Sequence, residues 1–370
     1  MQFRPEHLGV IVVCILVNVL SIWIAQRYLS KHSKGFIFYL NAAVAFASVM
    51  FSIAIAGGIA TYEPFEAINL LAIGVFIFGP LFLLMAFMVA RRSGEKIIAT
   101  IALSLALLVV AIGIDAFVIE PKWLDVTFIT LKSAKITRPV KIAVLSDLQT
   151  DQVGDYERKA IEKVMAEKPD LILMPGDYIQ CIDYKDQEAG HKALNQLLKD
   201  LKFSAPLGVY AVRGNVEVDK WPENFAGLPV TSMPDSRTLK TGELAITGLS
   251  FDDSFNQKVH VQPAEPFHIV FGHGPDFSLA KPPADMMVAG HTHGGQVQLP
   301  LFGPPMTLSA VPRDWAQGTN ASHIVEPQPG STLILSRGVG MERRYAPRLR
   351  FLCRPQLIFV NLEPESKPKN

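Results

Sequence analysis

Two histidines one residue apart, His291 and His293, sit in the string Gly290-His291-Thr292-His293-Gly294-Gly295-Gln296, directly after the apolar run 286–289. The run reads as a short buried strand, and the glycines let the backbone turn tightly after it. On such an irregular turn both imidazoles can aim at one point, which is a start on a site for Zn²⁺, Fe or Mn²⁺. A lone histidine there would more often satisfy a hydrogen bond in the turn. The alternative weakens as other strands deliver similar residues.

They do so repeatedly. Val140 to Leu145 leads to Asp147, Leu171 to Met174 leads to Gly176-Asp177, and Val209 to Val212 leads to Arg213-Gly214-Asn215. His268 to Phe271 leads to Gly272-His273. Ligand sites in open α/β sheets gather at the carboxyl ends of strands. One aspartate after a strand is usually a turn or cap residue. Two carboxylates, an asparagine and three histidines together are what two adjacent cations of intermediate hardness require, and a carboxylate in the middle can bridge them. Two such ions clamp a phosphoryl group between entering and departing oxygens.

The elements that must position these residues form the second part of the chain. From residue 122 onward short β-rich runs alternate with helical stretches, then give way mostly to strands. Residues 155–167 and 191–201 have helical spacing, further strands are expected at 126–131, 331–335 and 357–360, and the whole predicts an α/β sandwich. The first part differs. Of 370 residues 49% are hydrophobic, and the excess lies before about residue 120. Four apolar stretches, 8–25, 36–60, 68–90 and 97–118, each approach or exceed the ~20 residues that cross a bilayer as a helix. The first is too long for a signal peptide and lacks a clear cleavage site. Two domains are therefore expected, a four-helix transmembrane domain over 1–120 and a catalytic domain over 121–370.

Loop charges orient the spans. Arg27, Lys31, His32 and Lys34 follow the first and Arg91, Arg92 and Lys96 follow the third, whereas Glu63 and Glu66 separate the second and third. The positive-inside rule places the basic loops in the cytoplasm and the catalytic domain outside, with only Arg4 opposing. In a bacterium that is the extracytoplasmic side of the inner membrane. A net charge of +1 gives no argument for nucleic-acid binding. The three cysteines make no C-x-x-C motif, and a Cys181–Cys353 disulfide is allowed by arithmetic alone.

With Asp147-x-Gln149, Gly176-Asp177, Gly214-Asn215-Val216-Glu217, His273 and Gly290-His291-Thr292-His293 in this order, residues 140–361 resemble the calcineurin-like metallophosphoesterase family. The strings through Leu299-Pro300 and from Ser336 to Gly340 are similar to its membrane-associated bacterial branch. The resemblance implies a four-layer α/β sandwich and two divalent ions, Mn²⁺, Fe²⁺/³⁺ or Zn²⁺. It implies Asp147, Gln149, Asp177 and His293 as ligands of one ion, and Asp177, Asn215, His273 and His291 as ligands of the other, with Asp177 bridging. It also implies hydrolysis of a phosphodiester or pyrophosphate by a metal-bridging hydroxide. The membrane anchor points to a lipid-linked, phosphate-containing substrate and to the bilayer itself as a partner.

Two positions depart from the family pattern. Gln149 stands where a histidine is usual, and an amide oxygen is a harder, weaker donor than imidazole. Val216 stands where the family has a histidine that protonates the leaving oxygen or steadies phosphoryl charge. Such acid help is worth ~10²–10⁴ in rate and matters most for poor leaving groups. No residue is assigned as the general acid. His191, His323, Arg213, Arg343, Arg344 and Arg348 are the substitutes to consider, and Arg213, Arg343 and Arg344 are candidates for phosphate recognition through paired donors. The departures also raise a second class of function, a degenerate phosphoesterase that binds metal or a phospholipid headgroup as a sensor or scaffold. Turnover separates the two.

Overall fold

The computed structural model describes residues 5–32 and 35–365; Arg4 and Lys34, counted above among the loop cations, lie outside them. Its contacts group Met1–Val118 with Arg344–Arg348 as one unit, and Ile119–Arg343 with Leu349–Asn370 as a second.

The first unit is helical. Glu6–His32, Phe36–Thr61, Pro64–Arg92 and Lys96–Lys122 are each long and apolar enough to cross a membrane by length and composition. Their outer faces expose leucine, isoleucine, valine and phenylalanine, while small residues such as Ala42, Ala86, Ala90, Ala99 and Ala102 are buried where helices meet. Close packing through small residues is the mode of association open to helices in lipid, where burial of apolar surface no longer drives contact. Phe46 and Phe82 stack with centroids 4.6 Å apart in that interior. Glu66, read from the sequence as a loop charge, belongs instead to the first turn of the third helix. It is fully buried and hydrogen-bonded to Nδ1 of His7 at 3.2 Å. Proline at the first helical position explains the earlier start, because its missing N–H has no partner there anyway.

The second unit contains two six-stranded sheets. The first has the order β1-β12-β2-β3-β4-β5, built from β1 (Asp125–Ser133), β2 (Val140–Val144), β3 (Leu171–Met174), β4 (Val209–Val212), β5 (Val230–Met233) and β12 (Gln356–Pro364). The second has the order β10-β11-β9-β8-β7-β6, from β6 (Arg237–Thr241), β7 (Leu244–Gly248), β8 (Phe267–Phe271), β9 (Met286–Ala289), β10 (Val325–Gln328) and β11 (Ser331–Leu335). β2 to β5 run parallel, as do β7, β8, β9 and β11. Of these, β3, β4, β8 and β9 are buried on both faces, which is why they read as continuous apolar runs rather than alternating ones.

One core lies between the sheets, with Ile142, Val144 and Leu173 meeting Ile246, Phe271 and Val288. A second lies under the helices Asp155–Ala166 and Tyr184–Asp200 through Ala160, Ile161, Leu194 and Leu198. A third covers the far face of the second sheet with Phe277, Val311 and Ala316. Helices, sheet, sheet and short helices make the four-layer sandwich. The helix expected from residue 191 begins earlier, at Tyr184, because its first two turns carry charges that hide the apolar period. Cys14, Cys181 and Cys353 are buried thiols, and the disulfide allowed by arithmetic is not formed.

Candidate metal centre

Each candidate ligand leaves the carboxyl end of a parallel strand: Asp147 after β2, Asp177 after β3, Asn215 after β4, His273 after β8, and His291 and His293 after β9. Five of these turn residues occupy the left-handed region, with φ of 49° at Asp147, 30° at Gln149, 57° at Asp177, 69° at His291 and 48° at His293. A non-glycine residue held there costs energy that surrounding structure must offset, and such strain concentrates at functional sites. Glycine is required at two neighbours. A Cβ on Gly290 would collide with Ser146 Oγ and the Asp147 carboxylate, and one on Gly214 would collide with the Asp177 carboxylate.

The hydrogen-bond partners fix the tautomers. His273 Nδ1 lies 2.8 Å from the Pro175 carbonyl oxygen, which can only accept, so Nδ1 carries the proton and Nε2 is a bare lone pair. His291 Nε2 faces the Leu308 carbonyl at 3.1 Å, so its Nδ1 is likewise bare. The two bare nitrogens are 3.2 Å apart, and the amide oxygen of Asn215 lies 2.7 Å from the first and 2.9 Å from the second. Asp177 Oδ2 is 3.4 Å from His273 Nε2. Three acceptors with no proton among them thus converge beside the Asp177 carboxyl. Lone pairs repel at these distances, and a divalent cation is a group that makes the cluster favourable.

The other end of the series is also short of a partner. Asp147, Asp177 and His273 offer ligand atoms within 4.8 Å of one another. Nε2 of His293, 3.9 Å from Asp147 Oδ1, is buried without a hydrogen bond, and so is Oε1 of Gln149. Gln149 spends both N–H groups elsewhere, on Gln180 Oε1 at 2.9 Å and Glu342 Oε2 at 2.8 Å. Its oxygen is thereby fixed as the free end. Gln149 Oε1 is an orphaned buried acceptor, which costs about 1–3 kcal/mol, so a cation fits here too.

Burial sets the protonation. Desolvation pushes the Asp147 carboxyl up to about 7, against the hydrogen bonds from Ser146 and the His291 backbone. Asp177 is raised well above the usual carboxylate range by burial and by the nearby carboxylates of Glu217 and Asp147. Burial drives His273 and His293 well below the usual imidazole range, helped by His291 for the first and by the Arg350 guanidinium for the second. Without a cation the centre therefore favours protonated carboxylates and neutral imidazoles. The latter are the form that ligates metal.

Several supporting residues had no signal of their own in the sequence. Glu217 is buried and accepts from the backbone N–H groups of Asp177 at 2.9 Å, Tyr178 at 2.6 Å and Gly214 at 2.6 Å, which holds the turns after β3 and β4 together. Its place in the Gly214-Asn215-Val216-Glu217 string was the available clue. Arg350 is fully buried and donates to the carbonyls of Arg337, Gly340 and Cys353, with a longer contact of 3.4 Å to His293 Nδ1. Gln180 and Glu342 lie outside any run the sequence pattern marks.

The other candidates are placed as follows. Arg213 donates to the Glu217 carbonyl at 3.2 Å and lies over the Phe251 ring at 5.7 Å. Arg343 donates to the Gln149 carbonyl at 2.9 Å and lies 3.8 Å from the Asp151 carboxylate. Arg344 and Arg348 are grouped with the helical unit. His191 is bonded to Gln187, and His323 to Gln317. Val216 is buried, and its backbone N–H donates to Asp177 Oδ1 at 3.1 Å. Beside the centre opens a cleft of about 480 Å³ lined by Asn215, His291, Phe251, Phe255, Asp252, Asn256 and Leu308. The aromatic wall was not foreseen.

Residues 140–295, which contain all seven candidate ligands, match the family model described as calcineurin-like phosphoesterase. Over these residues the chain carries a calcineurin-like metallophosphoesterase domain. It is 29% identical over 268 residues to the uncharacterized metallophosphoesterase YkuE of Bacillus subtilis (strain 168), covering 66% of this chain and 87% of that protein. It is also 29% identical over 266 residues to the phosphodiesterase YaeI of Escherichia coli (strain K12), covering 66% and 90%. An uncharacterized metallophosphoesterase of Aquifex aeolicus (strain VF5) matches at 26% identity over 66% of this chain and 94% of its own length. This metallophosphoesterase is thus a metal-dependent hydrolase acting on a phosphate-containing substrate.

Proposed function

We propose that this metallophosphoesterase is a membrane-anchored phosphodiesterase with a dinuclear centre, and that its substrate is lipid-linked. The observation that carries the reading is the cluster of Asn215 Oδ1, His273 Nε2 and His291 Nδ1, three acceptors without a proton beside the Asp177 carboxyl, opening on a cleft with an aromatic and aliphatic wall. Asp147, Gln149, Asp177 and His293 would hold one ion, and Asp177, Asn215, His273 and His291 the other. When bound, the two ions supply positive charge against the phosphoryl oxygens and lower the pKa of water for attack.

The chain's own residues do the rest. Glu217 holds the turn that carries Asp177, and Gln180 with Glu342 holds the amide of Gln149 so that its oxygen faces inward. Phe251, Phe255 and Leu308 give an apolar group beside the phosphate a surface to bury. Val216 offers no proton to the leaving oxygen, which favours leaving groups that depart as stable anions. The bacterial relative named a phosphodiesterase supports a diester substrate. The four apolar helices support an integral membrane domain through residue 120, with the catalytic domain from residue 121 on the extracytoplasmic face of a bacterial inner membrane. Purified full-length protein loaded with Mn²⁺ is expected to hydrolyse bis(4-nitrophenyl) phosphate and to release a phosphorylated headgroup from a bacterial lipid extract. Turnover of the aryl diester with none on the extract would remove the lipid part of the reading.

A further inference from the structure

The segment following the histidine turn carries apolar side chains that face outward. Leu299, Leu301, Phe302, Met306 and Leu308 are all exposed, Leu301 completely and Phe302 by 58%. A soluble surface rarely gathers so many large apolar groups in one loop, and a contiguous patch of this kind marks an interaction site.

The loop is rigidly seated on the metal centre. Leu308 accepts the proton of His291 Nε2, and a Cβ on Gly295 would strike the loop at Pro304 and the Met306 carbonyl. At its tip Leu299 and Gly303 exchange backbone hydrogen bonds, each 2.9 Å, and Phe302 N–H donates to the Leu299 carbonyl at 3.1 Å. Three backbone hydrogen bonds thus close the turn at the tip while the side chains of Leu301 and Phe302 are exposed. A closed turn leaves fewer peptide groups to lose water when its side chains enter an apolar medium.

Its base is tied to the segment 119–122 of the same unit. Gln298 N–H donates to the Phe351 carbonyl at 2.9 Å, and the next residue, Leu352, is exposed and donates its N–H to Glu120 Oε2 at 2.7 Å. Glu120 lies in the final turn of Lys96–Lys122, long and apolar enough to cross a membrane. Leu352 and residues 298–304 line one cavity of about 670 Å³. Cation–aromatic pairs border this face: Arg354 lies over the exposed Trp123 ring at 3.5 Å, and Arg313 over Phe302 at 4.6 Å. Aromatic rings with adjacent cations are the composition of a bilayer interface, with the cations matched to anionic headgroups.

We propose that residues 299–308 are an interfacial docking segment that seats in the surface of an anionic lipid bilayer and holds the metal centre at headgroup depth. The proposal rests on the membrane-anchored reading given above. At its inner end Leu308 also lines the cleft beside His291, so a lipid entering from the bilayer would meet apolar surface from the interface to the site.

The test uses the full-length chain reconstituted in vesicles of phosphatidylethanolamine and phosphatidylglycerol. All three native cysteines are buried, so a spin label on Leu301→Cys is site-selective, and Tyr184→Cys on an exposed helix of the same unit is the control. The label at 301 is expected to collide with oxygen several-fold more than with a water-soluble nickel chelate, relative to the label at 184. Equal chelate access at both positions in a chain that floats with the vesicles would overturn the docking segment and leave the anchoring reading standing. A chain that does not float would contradict both. Strong dipolar coupling between 301 labels of two copies, with no lipid-like oxygen access, would assign the patch to self-association and overturn the proposal.

Discussion

His273 Nε2 and the amide oxygen of Asn215 face each other at 2.7 Å, and the proton that would make this a hydrogen bond is on the other ring nitrogen, bound to Pro175. Two lone pairs are held together by turns from different sheets, after β4 and β8. Asn215→Asp should keep the metal, because a carboxylate replaces an amide oxygen. Asn215→Leu should weaken binding of the ion shared with His291, and metal content measured after dialysis checks it.

The raised carboxyls make metal uptake a proton-releasing reaction. Asp147 is held up to about 7 and Asp177 well above the usual carboxylate range, whereas the imidazoles are already neutral. Binding should therefore release more protons at about pH 6 than at about pH 8.5, and apparent affinity should rise with pH across the interval. Titration calorimetry in buffers of different ionisation enthalpy reads the proton count directly.

The stability of the chelated protein follows from the same groups. Carboxyls with raised pKa keep protons in the folded state that the unfolded state has lost, so they make stability fall as pH rises from about 4 to about 7. Histidines with lowered pKa do the opposite below about 6.5, where only the unfolded state is protonated. The two oppose each other below about pH 6.5, and above it the carboxyls alone act. Melting temperature of the metal-free protein should decline between about pH 6.5 and about pH 8, and metal should abolish the decline.

Glu217 touches no substrate but holds three backbone N–H groups around Asp177. Glu217→Gln replaces an acceptor by a donor toward one of them. Metal affinity should fall about 10–100-fold, the usual cost of disturbing a partner behind a ligand, with kcat of the metal-saturated enzyme less affected than the metal concentration for half-activity.

Val216→His tests the missing acid. Turnover of alkyl diesters should rise, by up to ~10²-fold if the imidazole reaches the leaving oxygen, while aryl diesters change little. A fall on both would mean that the cleft is built around valine.

Much of this was legible in the chain. The strands β2, β3, β4, β8, β9 and β11 are buried on both faces, and each is an apolar run that ends in a polar residue. β5, β6, β7 and β10 were not foreseen. β6 is largely exposed with Arg237 and Lys240, and Val325–Gln328 contains a proline, so neither shows the apolar run or clean alternation that marks a strand. Glu66 read as a loop charge because sequence cannot see that His7 lies against it. Gln180, Glu342 and Arg350 act through tertiary contacts at separations of ten to nearly two hundred residues. Phe251 and Phe255 belong to none of the motifs read from the sequence, and only the cleft places them beside His291.

The central claim is tested most directly by bound-metal analysis and diesterase turnover measured on the same preparations of wild type and Asp177→Asn. Wild type is expected to carry two divalent ions and to hydrolyse bis(4-nitrophenyl) phosphate, and Asp177→Asn to lose bound metal together with at least about 10²-fold of the rate. Wild-type turnover that survives full removal of metal, or an Asp177→Asn protein with unchanged metal content and rate, would contradict it.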